Sequence, residues 1–155
     1  MTSGYLASFE PAMRRALDQA ARTPAGSDVP VGAVVLDEAG TVAGAGHNRQ
    51  DAGHDPTAHA EIVAIRQAAA AGGRWRLDGY TLVVTLEPCT MCAGAVIAAR
   101  LDRVVYGAAD PRAGAAGSLW DVLRDRRLSP HVEVIGGVLA DECAAPLRAY
   151  FERRR

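Results

Sequence analysis

The chain contains no lysine, so all 17 of its basic residues are arginine. It carries almost no net charge, −1 at pH 7, and bulk electrostatics therefore does not mark it as a nucleic-acid binder. No apolar run reaches the roughly 18 residues of a membrane span, and no basic start leads into an apolar stretch, so the expected location is cytoplasmic. Cysteine is scarce and odd in number: three residues with one C-x-x-C argue against a disulfide framework and for metal or redox use in a reducing compartment. Internal repeats and low-complexity segments are absent. What is present is 155 residues, 49% of them apolar, which suits a single domain over 1–155 around one core.

The arginines are unevenly spread. Arg124, Arg126, Arg127, Arg148, Arg153, Arg154 and Arg155 crowd the last third. The planar guanidinium suits bidentate phosphate contact, although a solvated surface accounts for any one of them equally well.

Periodicity places the elements. Phe9, Met13, Leu17 and Ala20 recur at helical spacing, predicting an amphipathic helix from Ser8, as its cap, to about Arg22. Thr23 to Asp28 reads as a loop, and Val31–Leu36 and Thr41–Gly46 read as a hairpin turning at Asp37–Gly40, its second strand weak by propensity because it is rich in Gly and Ala. His47 to Pro56 reads as loop. A helix bearing Ile62, Ile65 and Ala69 then stops at Gly72-Gly73. Strand Thr81–Leu86, a helix to about Ala99, strand Val104–Gly107, a short strand Val132–Ile135 and a closing helix Asp141–Arg154 complete the chain. This alternation predicts an α/β fold with parallel neighbours and ligands at the carboxyl ends of strands.

Two stretches carry the chemistry: Thr57-Ala58-His59-Ala60-Glu61 and Glu87-Pro88-Cys89-Thr90-Met91-Cys92. Cysteines three apart at a helix start face the same way, and His59 completes a three-ligand set suited to zinc. Three protein ligands leave a fourth position for water, which zinc acidifies, and Glu61 is the carboxylate available to take its proton. His59 and Glu61 would diverge by about 200° on a helix, so the site is expected off the N-terminal tips of two helices, one opening before His59 and one at Pro88. Helix N-termini also stabilise thiolates. The alternatives are a redox pair, which gives no role to His59 or Glu61, and a closed structural site with Cys143 as fourth ligand. Cys143 otherwise reads as a small core residue. Ligand softness favours zinc, with iron the other metal this set admits.

The spacing H-x-E followed by P-C-x-x-C is the signature of zinc-dependent nucleobase deaminases. The chain resembles the bacterial tRNA adenosine deaminase family within the cytidine deaminase superfamily. The resemblance runs through Val29-Pro30-Val31-Gly32-Ala33-Val34, His47-Asn48-Arg49, Asp55 to Glu61, Leu86 to Ala95, Val104-Val105-Tyr106-Gly107, Gly114 to Leu119 and Leu139 to Cys143. It implies a three-layer α/β/α fold with a central five-stranded mixed sheet, one Zn2+ per chain on His59, Cys89 and Cys92, Glu61 as proton carrier, and a homodimer. It further implies conversion of adenosine to inosine at the wobble position of a tRNA anticodon loop, that of an arginine tRNA, with Asn48 on the flipped-out base, Asp110 on the neighbouring ribose and Arg112 on a phosphate. A deaminase of a free base such as guanine or cytosine would share the fold, metal set and Glu61. A non-catalytic zinc-stabilised RNA-binding module is the remaining reading, and it would not need Glu61.

Overall fold

The computed structural model describes residues 2–128 and 131–155. The first amphipathic helix, α2 (Glu10–Ala20), buries Met13, Ala16 and Ala20 as the spacing requires, but Ser8 does not cap it. The Ser8 hydroxyl donates back to the carbonyl of Tyr5 at 2.5 Å, against the end of a preceding short helix, α1 (Thr2–Ala7). Phe9 occupies the cap position of α2, and Pro11 stands at the start of the helix, where a missing N–H would have no intrahelical partner.

Strands β1 (Gly32–Leu36) and β2 (Val42–His47) form the expected hairpin, in register Gly32 to His47. Asp37 shapes its turn by accepting the N–H groups of Ala39 and Thr41, both at 2.9 Å. The following segment is not wholly loop: Gln50–Gly53 makes one helical turn, α3, closed by His54 in the left-handed region. Helix α4 (Ala60–Gly72) ends at Gly73, also left-handed, as its glycine pair signals. Strand β3 (Thr81–Leu86), helix α5 (Thr90–Ala98), strand β4 (Arg103–Ala108), strand β5 (Glu133–Gly136) and helix α6 (Ala140–Glu152) follow.

Among the described residues the five strands form one sheet in the order β2-β1-β3-β4-β5. Parallel pairing holds across β3, β4 and β5, while β1 runs antiparallel to both its neighbours. The strand-helix-strand reading thus fails at one point. Because β1 and β2 fold back as a hairpin, β1 inserts between β2 and β3, which share a direction without touching. Helices α2 and α6 cover one face, with α2 on β1 and β3 and α6 on β4 and β3; α4, in contact with α5, covers the other. The result is the expected three-layer arrangement with a mixed sheet. Val34, Val35, Leu82, Val83, Val84, Val104 and Val105 are fully buried between the layers.

The Gly and Ala content of β2 has a packing cause. A side chain at Gly44 would run into the backbone of Ala64 and Ala68 on α4, so the helix lies against bare strand. Strands β2, β3 and β4 all point the same way. Their carboxyl ends deliver His47-Asn48, Glu87-Pro88-Cys89 and Asp110 to one edge of the sheet.

Candidate active site

His59 is not a helical residue. Its extended backbone (φ −69°, ψ 154°) makes it the cap of α4, which frees its ring from the helix, while Glu61 occupies the first turn. Cys89 caps α5 in the same way (φ −76°, ψ 179°), and Cys92 lies in the first turn. The helix opens at Thr90, so Pro88 stands before the cap, not at the first helical position as the sequence suggested. Both helix tips converge. His59 Nδ1 lies 3.5 Å from Cys89 Sγ and 3.4 Å from Cys92 Sγ, and the three ligand atoms are all within 4.8 Å of one another.

The donors are electrostatically prepared for a cation. A hydrogen bond with Cys92 draws the Cys89 thiol down to about 4 against the opposing effect of burial, with His59 assisting. Its position at the positive end of α5 favours the same thiolate. Cys92, which is fully buried, is pushed far up by its bond to Cys89, by burial and by the charge of Glu61. It yields its proton when a positive ion replaces that proton. His59 is raised, chiefly by Cys89. One imidazole and two thiols at this spacing are a zinc ligand set, and zinc is the cofactor these residues fit. Cys143 is elsewhere: its buried Sγ packs against Gly107 and lies 3.8 Å from the Val138 carbonyl, so it does not close the site.

Glu61 is 4% exposed, and burial pushes its carboxyl up to about 7. It interacts with Cys92 and with the charges of His59 and Cys89 without belonging to the ligand cluster.

Asn48 is buried beside it. Its Oδ1 accepts the N–H of Ala60 at 2.8 Å, and its Nδ2 donates to the Val29 carbonyl at 2.9 Å. An amide so engaged keeps one N–H and one lone pair for a further partner. Asp110 and Arg112 lie together on the loop after β4, where Asp110 Oδ1 accepts the Arg112 N–H at 3.0 Å. Two residues to which sequence reasoning gave no role prove central to the arrangement. Asp28 is buried and accepts the N–H groups of Asp51 and Ala52, fixing α3 just after Asn48. Glu87 is buried at the end of β3 and holds the Asp110 loop. A charged residue at the end of the apolar run Thr81–Leu86 was the available signal for Glu87; Asp28, in a polar loop, gave none.

A mixed sheet whose strand ends present a His-Cys-Cys cluster beside a separate buried carboxylate defines a zinc-dependent hydrolytic deaminase. Residues 7–108 match the model of the cytidine and deoxycytidylate deaminase zinc-binding region, and the chain belongs to that family. Over 146 residues, 94% of this chain and 84% of the relative, it is 46% identical to the tRNA-specific adenosine deaminase of Haemophilus influenzae. It superposes with a TM-score of 0.84 and 41% identity, covering 88% of this chain and 99% of the other, on a structure from work on A-to-I editing by tRNA:A34 deaminases at the wobble position. The guanine deaminase of Nitrosomonas europaea matches with a TM-score of 0.75 and 29% identity over 91% of this chain and 83% of its own.

Proposed function

We propose that this protein hydrolytically deaminates adenosine to inosine at the wobble position of a tRNA anticodon. The observation that carries the reaction class is the three-donor cluster with Glu61 buried alongside it. The substrate class follows from the relatives, since identity to the tRNA deaminases exceeds that to the guanine deaminase.

Zinc bound to His59, Cys89 and Cys92 would supply Lewis acidity and a water that ionises near neutral pH. Glu61 carries protons. With a carboxyl near neutrality it accepts one from water and hands it to a ring nitrogen of the adenine; it then takes the remaining proton of the added hydroxyl, as that oxygen becomes the carbonyl, and delivers it to the amine that leaves as ammonia. Water and adenosine thereby become inosine and ammonia. Asn48 offers its remaining N–H and lone pair to the edge of the base, and Asp110 and Arg112 meet the adjoining ribose and phosphate.

The surface agrees with an RNA substrate. A groove of about 740 Å³ runs from Asp110 and Arg112 along α6, lined by Arg148, Arg155 and the half-exposed Phe151. Arginine for phosphate and an aromatic ring for an unstacked base are what a single-stranded loop needs. Among the described residues no helix is long and apolar enough to cross a membrane. An arginine tRNA as substrate, a homodimeric assembly and a cytoplasmic location complete the proposal on grounds of family resemblance.

Ammonia release from an anticodon stem-loop, adenosine, guanine and cytosine, measured side by side, tests the reading. Turnover of the stem-loop is expected. Turnover of a free base with none of the stem-loop would replace it with a nucleobase deaminase.

A further inference from the structure

We infer that Glu87 is a positioning residue that locks the 110–118 loop to the metal-bearing turn and so sets where Asp110 and Arg112 meet the substrate. This rests on the RNA deaminase reading above. Glu87 is 2% exposed and no arginine lies within ion-pair distance of it among the described residues, so its charge must be met by hydrogen bonds. All four come from one loop. Oε1 accepts the Asp110 N–H at 3.1 Å and the Ser118 hydroxyl; Oε2 accepts the N–H groups of Ala116 at 3.0 Å and Ser118 at 3.1 Å.

The next residue continues the seam. The Pro88 carbonyl accepts the Ala115 N–H at 2.7 Å, and the Glu87 N–H itself donates to Ala108 at 2.8 Å. Both ends of the loop are thus tied to the two residues that precede Cys89. Gly114 is pressed so closely on the carboxylate that a side chain there would displace it. The nine-residue loop buries Ala115 and Ala116 in its middle and closes on itself through the Gly114 N–H, which donates to the Asp110 carbonyl at 2.8 Å. Glu87 adds the ties that bring the loop's two ends, Asp110 and Ser118, onto one carboxylate, and that carboxylate is one proline away from Cys89.

Glutamine is the informative replacement because it keeps shape and loses acceptor symmetry. Whichever way the amide is turned, its NH2 faces either Asp110 N–H and Ser118 or the Ala116 and Ser118 N–H groups, and donor meets donor. For Glu87→Gln the expected result is a KM for an anticodon stem-loop raised about tenfold, with kcat changed by less than about threefold, as for lost ground-state and transition-state binding alike. One zinc per chain should be retained, with faster amide exchange at Asp110, Ala116 and Ser118. Ser118→Ala removes only the hydroxyl donor, and should raise KM less while leaving the melting temperature nearly unchanged; it decides the matter if the first variant does not fold. Zinc loss in Glu87→Gln, or freed amides with an unaltered KM, would overturn the assignment. If the wild-type protein does not turn over the stem-loop at all, the RNA deaminase reading fails. The dissociation constant of the stem-loop and the amide exchange then decide Glu87 separately, an unchanged constant in Glu87→Gln counting against it.

Discussion

The side-chain oxygen of Asn48 accepts the backbone N–H of Ala60 at 2.8 Å, so the residue proposed to meet the base also caps the helix bearing Glu61. Helix α4 gets no side-chain cap from His59, its own N-cap residue. Asn48 supplies from another part of the chain what a local Ser or Asp commonly does.

Asn48→Ala should therefore act on stability as well as on turnover. It strands the Ala60 N–H and the Val29 carbonyl, and the loss expected is about 1–3 kcal/mol, read as a shift in urea midpoint. A variant with reduced kcat/KM and an unshifted midpoint would mean that the Ala60 bond is not made in solution.

The thiols should separate by reactivity. Bonding with Cys92 holds Cys89 down at about 4, whereas burial pushes Cys143 up to about 11. In zinc-free protein at pH 7, iodoacetamide is expected to modify Cys89 rapidly and leave Cys143 untouched, and zinc should protect Cys89. Peptide mapping reads all three sites. Protection of Cys143 gained only on adding zinc would reopen a four-ligand site.

The clustering of His59, Cys89 and Cys92, with Glu61 buried near them, was legible in the sequence because metal chemistry restricts residue type and spacing so tightly. Most element positions were also legible, the strand Thr81–Leu86 to the residue, because apolar periodicity and glycine stops dominate them. What escaped were features set by distant partners. Ser8 looks like a cap, yet the chain enters α2 through Phe9. Asp28 and Glu87 look like solvated charges, and become buried anchors only when α3 and the Asp110 loop fold over them. The pairing of β1 was hidden for a similar reason: an alternation of strands and helices does not say which strand a hairpin will slip between.

Glycine in β2 was read as weak strand propensity, but the structure assigns it a contact. Gly44→Ala should be destabilising by about 1–3 kcal/mol, since the added carbon meets the α4 backbone and overpacked cores must shift. The same change at Gly40, whose turn leaves open space around it but has φ +83°, should be destabilising through backbone strain alone. Amide exchange distinguishes the two, with α4 loosened only by the first. Equal exchange in α4 for both variants would refute the packing argument.

Glu61 offers a test in which binding and proton transfer come apart. Glu61→Gln should reduce kcat by about two to four orders of magnitude with one zinc retained, as expected for removal of a general acid-base. It should also change how stability depends on pH. Burial raises the carboxyl from 4.5 to about 7, so the folded state prefers the proton more than the unfolded chain does. The sign follows: in metal-free protein the full contribution is present below the unfolded value and is lost as pH rises toward about 7, by of order 3 kcal/mol. The glutamine variant has no proton to lose there. Subtracting the urea stabilities of the two zinc-free proteins from pH 4 to 8 isolates that loss, and a flat difference would show that the carboxyl is not desolvated where the structure buries it.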